Sequence, residues 1–229
     1  MHEPSPLLAF AQDKLQIAAL LFMAVVYVLK VRWILRFPAG RDRQAPTGSG
    51  DAGRGAKFSL LAIALPWTMG STREYPFRYA QFVVFHLGVA CSILMSFLIP
   101  YAAGLMGIPG VTPAFQALFV LAALAGLVRF VRRVSDPYMR AISSPDDYFS
   151  MALLVAWLGS SALAAPAVSG TELPRLVYFF LTAFFLIYVP FSKISHYIYY
   201  PFSRWYLGRT LGHRGVYPIA RDHVHRAIS

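Results

Sequence analysis

Cysteine is nearly absent from this chain: one residue, Cys91, in 229. That excludes an intrachain disulfide, a C-x-x-C-H attachment for c-type haem and a cysteine cage for an iron–sulfur cluster. Any iron–sulfur chemistry must come from a partner. Charge is scarce as well. Charged residues make up 14% of the chain, against about 25% in a soluble domain. Apolar residues make up 57%, above the usual range of about 45–50%. The deficit and the excess together indicate a membrane protein. Acidic side chains are the rarer sign, with 10 Asp and Glu against 21 Lys and Arg, for a formal net charge of +11. In a soluble chain that balance points to nucleic acid. Here the arginines crowd into loops between apolar runs, so topology accounts for them and no nucleic-acid partner is expected.

A spanning helix needs about 20 mostly apolar residues. Five segments meet or approach that length, at roughly 15–35, 79–106, 114–131, 148–168 and 173–199. The first follows MHEPSPLLAFAQDK, which sets Glu3 and Asp13 against Lys14, and Lys30, Arg32 and Arg36 come after it. A secretory signal has a basic start, a short apolar run and a small-residue cleavage site. This stretch reads instead as a retained helix.

Positive charge fixes the orientation. The first loop holds Arg41, Arg43, Arg54, Lys57, Arg73 and Arg78, and the next, YAAGLMGIPGVTP, holds no charge. The third holds Arg129, Arg132, Arg133 and Arg140, and the fourth only Glu172 and Arg175. The tail holds Arg204, Arg209, Arg214, Arg221 and Arg226. Basic and poor loops alternate, which requires an odd number of spans. The expected fold is an all-α membrane protein, a five-transmembrane-helix bundle with the N-terminus outside and the C-terminus cytoplasmic. It forms a single integral membrane domain over 1–229 in the inner (cytoplasmic) membrane of the cell, with a cytoplasmic tail at 200–229. Within the first loop, PAGRDRQAPTGSGDAGRGAK is rich in Gly, Pro and Arg. FSLLAIALPWTMGSTREYPF follows, apolar but too short and interrupted to span. Its part at about 58–72 reads either as an interfacial segment with Trp67 at headgroup depth or as a hydrophobic tether.

Two of the six histidines fall in apolar segments: His86 in FVVFHLGVACSILMSF and His196 near the end of the last span. An ionisable side chain within a span is costly and marks a functional candidate. The plainer reading is a histidine hydrogen-bonded to a neighbouring helix. The pair favours a ligand role. His86 lies about 12 Å in depth beyond Arg78 at 1.5 Å per residue. His196 precedes Pro201 and Arg204 on a helix running the other way, so both are expected near the same face of the bilayer. Neutral imidazoles suit haem iron, and Gly88 would let a flat macrocycle approach the backbone.

VPFSKISHYIYYPFSRW, together with FVVFHLGV, LPW, the YPF before the second span and SSPDDYFSMALLVAW, resembles the gamma-subunit family of respiratory nitrate reductase. That family takes in related cytochromes b of sulfate-reducer redox complexes and of membrane-bound heterodisulfide reductase. The resemblance covers the second to fifth spans, about two-thirds of the chain, and P-F-S-[KR]-x-x-H is its most specific phrase. It implies five helices with the N-terminus outside. It also implies electron transfer between a quinone, such as menaquinone, and a cytoplasmic iron–sulfur subunit of the heterodisulfide-reductase or nitrate-reductase beta type. In this family the pair matching His86 and His196 holds the haem nearer the cytoplasm. A second pair stands ten residues after the first histidine and eighteen before the last. Here those positions are Ser96 and Tyr178, so the resemblance implies one b haem, and the family's quinol site is not carried over.

Other candidates have plain readings beside them. Arg78, Lys193 and Arg204 could meet haem propionates, or serve as topology determinants and lipid-headgroup contacts. Asp146 and Asp147 read as helix capping with Ser143 and Ser144, or as proton exchange with a quinone. His213, His223 and His225 read as a tail that docks on a cytoplasmic subunit, with a metal site as the sharper option. The aromatics at 197–206 read as an interfacial belt or a cofactor wall. The function expected is an electron-transfer subunit with one bis-histidine b haem, not the subunit that reduces the final substrate. The competing readings are a haem-free membrane anchor or assembly subunit, and a transporter. The scarcity of paired acids and bases in the spans and the lack of an inverted repeat oppose the transporter.

Overall fold

A serine followed by a proline starts the first helix. Ser5 accepts the Leu8 amide at 3.3 Å and Pro6 stands at the first helical position, where its missing N–H costs nothing. In the computed structural model, residues 4–38, 40, 50–68, 70–166 and 171–218 are described. Arg41, Arg43, Arg221, Arg226, His223 and His225 lie outside them. The described residues form helices, turns and connections, with no strand.

Five helices are long and apolar enough to cross a membrane: α1 (Pro6–Leu35), α3 (Pro76–Tyr101), α4 (Val111–Ser135), α5 (Pro145–Ala164) and α6 (Leu173–Tyr188), whose helical run reaches Phe191. The chain is a multi-pass membrane protein. Two further helices, α2 (Ala52–Leu61) and α7 (His196–His213), do not meet that measure. Their ends follow local chemistry. Gly110, at φ +87°, supplies the left-handed turn before α4. Ser144 donates its amide and hydroxyl to Asp147 at 2.8 Å each, so Asp147 reaches back over the first turn of α5.

The chain divides into two compact units, Met1–Leu29 with Ala80–Ile194 and Lys30–Tyr79 with Ser195–Ser229. In the first unit α5 packs against α4 and α6. Helices in lipid gain no hydrophobic drive toward each other, so close packing and hydrogen bonds hold them. A Cβ added to Gly88 of α3 would stand 2.3 Å from the Ala122 Cβ of α4. One added to Gly126 of α4 would meet Phe85 and Val155, each at 2.9 Å. Trp157 is fully buried and stacks on Phe185 with centroids 4.9 Å apart. Its indole donates to Thr182 at 2.8 Å. α1 packs on α6 through Ala19, Ala183 and Leu186.

In the second unit α2 lies antiparallel to α7. Gly55 faces Gly208 and Gly212, and Ser59 faces Gly208. The Tyr200 hydroxyl donates to the Leu60 carbonyl at 3.1 Å. A Gly-x-x-x-Gly pair on α7 meeting Gly55, Ala56 and Ser59 on α2 brings the two backbones into contact.

The last span differs from its expected 173–199 extent. α6 stops at Tyr188, because Pro190 offers no N–H to continue it. The chain passes through short 3-10 turns at Val189–Phe191 and Lys193–Ser195, separated by extended Ser192 at ψ 170°. His196 therefore opens a separate helix instead of ending the span. The stretch at 200–213 forms the body of α7. The stretch at 58–72 is the end of α2, two 3-10 turns and the start of a short helix, Gly70–Glu74.

Candidate functional site

His86 stands ten residues into α3, about 15 Å along the helix from Pro76. Its Nδ1 lies 2.8 Å from the Phe82 carbonyl oxygen. A carbonyl oxygen only accepts, so Nδ1 carries a proton and donates it to Phe82. A ligating histidine is oriented by such a bond from its other nitrogen to a carbonyl. Phe82 and Phe85 flank the ring, at 4.1 and 5.8 Å between centroids. At 100° per residue His86 points about 200° away from Gly88. Gly88 serves the contact with Ala122, and the expected approach of a macrocycle to its backbone is not the role this packing gives it. The His86 face continues with Ala90, Ile93 and Phe97, all exposed apolar side chains.

His196 belongs to the second unit, where it is the exposed first residue of α7, with the Tyr197 ring 6.5 Å away. The two histidines thus fall in different units. The three candidate propionate cations also divide. Arg78 in the second unit lies over the Tyr75 ring at 4.3 Å. Arg204, in the same unit, donates through Nε to the Ser59 carbonyl at 3.3 Å. Lys193 in the first unit pairs with Asp147 at 2.5 Å.

Ser96 and Tyr178 are the two positions that set the expected haem count at one. Tyr178 is fully buried and donates to the Ser92 carbonyl at 2.6 Å. Ser92 and Ser161 share a hydrogen bond at 2.7 Å, and Thr182 donates to the Tyr178 carbonyl at 2.7 Å. Ser96 bonds back to Ile93 in its own helix at 2.7 Å. This part of the bundle is a closed polar seam between α3, α5 and α6.

Asp146 and Asp147 do more than cap. Asp146 accepts the Tyr188 hydroxyl, and the Lys193 amide at 2.9 Å. Asp147 takes the Lys193 ammonium and, at 3.6 Å, Arg133 of α4. The two carboxylates thereby join the end of α4, the start of α5 and the turn after α6. The capping reading of SSPDDY covers the two bonds from Ser144 to Asp147 and none of these longer-range ones. Lys193 lies 46 residues away, a pairing no local pattern indicates. Among the described residues no group of three His, Cys, Asp or Glu side chains could hold a metal ion. His213 ends α7. The docking expected of the tail and the metal option both involve His223 and His225, which lie outside the described residues.

No family model matches the chain, and no solved structure does. A protein of Nitratidesulfovibrio vulgaris (strain Hildenborough) is 27% identical over 161 residues, which covers 68% of this chain and 70% of that one.

Proposed function

We propose that the chain is a membrane cytochrome b subunit of a multi-subunit respiratory redox complex. It carries electrons through one b haem between the quinone pool and a cytoplasmic iron–sulfur subunit, with His86 and His196 as the axial ligands. The N-terminus lies outside and the C-terminus in the cytoplasm of the inner membrane. The observation that carries the reading is the Nδ1–H bond from His86 to the Phe82 carbonyl. With Nδ1 held in this way, Nε2 is the nitrogen that would ligate iron, on a helix face that also carries Phe82, Ile93 and Phe97. Neutral imidazole, an apolar wall and a second histidine fit the donor set of a low-spin b haem. When bound, the haem supplies a one-electron iron couple, and the protein sets its position and potential. His86 and His196 hold the iron. Phe82 orients His86. Arg78 and Arg204 supply positive charge in the unit that contains His196.

A count of one haem is supported by the seam around Tyr178, whose hydroxyl and ring are already used in packing. It acts beside a partner of the heterodisulfide-reductase or nitrate-reductase beta type, which carries the iron–sulfur centres that the single cysteine here cannot hold. The experiment is a dithionite-reduced spectrum of the His86→Ala and His196→Ala variants. Each should lose the low-spin b signal completely, because one site needs both ligands. A His196→Ala protein with a normal low-spin spectrum would refute the assignment.

A further inference from the structure

α2 carries a row of side chains that α7 does not cover. Its buried face is Gly55, Ala56 and Ser59. Arg54, Lys57 and Leu61 recur at i, i+3 and i+7, which places them along one side of the helix. All three are exposed, Leu61 at 58%. The two 3-10 turns that follow hold out Ile63 at 38% and Trp67 at 59%. The Tyr79 hydroxyl fixes the first turn by donating to the Ile63 carbonyl at 3.0 Å, and Thr68 closes the second onto Leu65 at 2.7 Å. The surface is therefore graded: cationic at the start of α2, apolar at its end and through the turns. Among the described residues neither Arg54 nor Lys57 is in an ion pair. Asp51, the neighbouring acid, spends its carboxylate on the Gly53 and Arg54 amides at 2.8 and 3.1 Å.

We propose that this face binds anionic phospholipid. Arg54 and Lys57 contact the phosphate headgroups, and Leu61, Ile63 and Trp67 enter the interfacial layer. Basic side chains beside a membrane are drawn to anionic lipid, and tryptophan settles at headgroup depth. Lipid satisfies both halves of the gradient at once. An acidic protein would answer the two cations but leave the apolar end needing a second, greasy partner. The glycine seam holds α2 backbone-to-backbone on α7, so the row is a formed surface.

The test is native mass spectrometry of the full-length protein with equimolar phosphatidylglycerol and phosphatidylcholine. The wild type should retain phosphatidylglycerol in preference. The Arg54→Gln/Lys57→Gln variant should lose roughly fivefold of that preference for each cation removed. Equal retention of the two lipids by the wild type, or an unchanged preference in the variant, would overturn the proposal. A second measurement places a spin label at position 61, in a Cys91→Ala/Leu61→Cys protein reconstituted in phosphatidylglycerol vesicles. The label should lie in the headgroup–acyl boundary. A label fully accessible to water would equally overturn the assignment.

Discussion

Replacing Gly208 with alanine tests whether α2 and α7 are held by direct backbone contact. The new Cβ would stand 2.6 Å from the Ser59 Cβ, 2.7 Å from the Ala56 Cα and 2.7 Å from the Gly55 carbonyl oxygen. Real Cβ atoms do not approach so closely, and two of the three neighbours are backbone. No rotamer change relieves those two contacts, so the helices must part. Overpacking of this kind costs about 1–3 kcal/mol, and the rigid neighbours place Gly208→Ala toward the upper end. Helix propensity offsets at most about 1 kcal/mol of it. Hydrogen exchange reads the result, because α2 amides exchange through local opening of the α2–α7 pair. Their protection should fall by about 5- to 150-fold. Gly159→Ala is the control, since a Cβ there meets nothing within 4 Å. Unchanged protection of residues 52–61 in Gly208→Ala would refute the contact.

Three other outcomes follow. His86→Ala and His196→Ala should each abolish the low-spin b spectrum. Tyr178→Phe should lower the unfolding free energy of the bundle by about 1 kcal/mol, the worth of one buried hydrogen bond. It should leave haem content unchanged, and loss of haem there would place a ligand or propionate contact at Tyr178. The hydroxyl and amide of Ser5 both donate to Glu172 and hold its carboxyl below the ordinary glutamate range. A depressed folded-state value makes the latch fully present above the ordinary range and lost as pH falls through the lowered value. Protection at the start of α1 should therefore drop only in acid, and Glu172→Gln should flatten that profile.

The five long helices were legible because twenty-residue apolar runs have few other uses. Their ends were less so. α1 begins at Pro6, well before the expected residue 15, because Ser5 and Pro6 start a helix that carries Asp13, Lys14 and Gln16 within it. Polar residues there masked a helix whose backbone is satisfied internally. The last span read as continuous because Phe191, Ile194 and Tyr197 extend its apolar pattern, yet Pro190 and extended Ser192 divide it. The α2–α7 pair was missed although its signal was present. Gly208 and Gly212 at four-residue spacing, with Gly55 and Ser59 at the same spacing, mark two helices that touch. Neither helix carries the apolar run that marks a span. His86 was legible as a type and position. The bond to Phe82 that sets its tautomer follows only once the helix is formed.

The most direct measurement is a haem count on the purified protein or complex, by pyridine haemochrome against protein. If other cytochromes co-purify, the difference from His196→Ala gives this subunit's share. One b haem per chain is the predicted result. No haem would contradict the relay and leave a membrane anchor, and two would require a ligand outside His86 and His196.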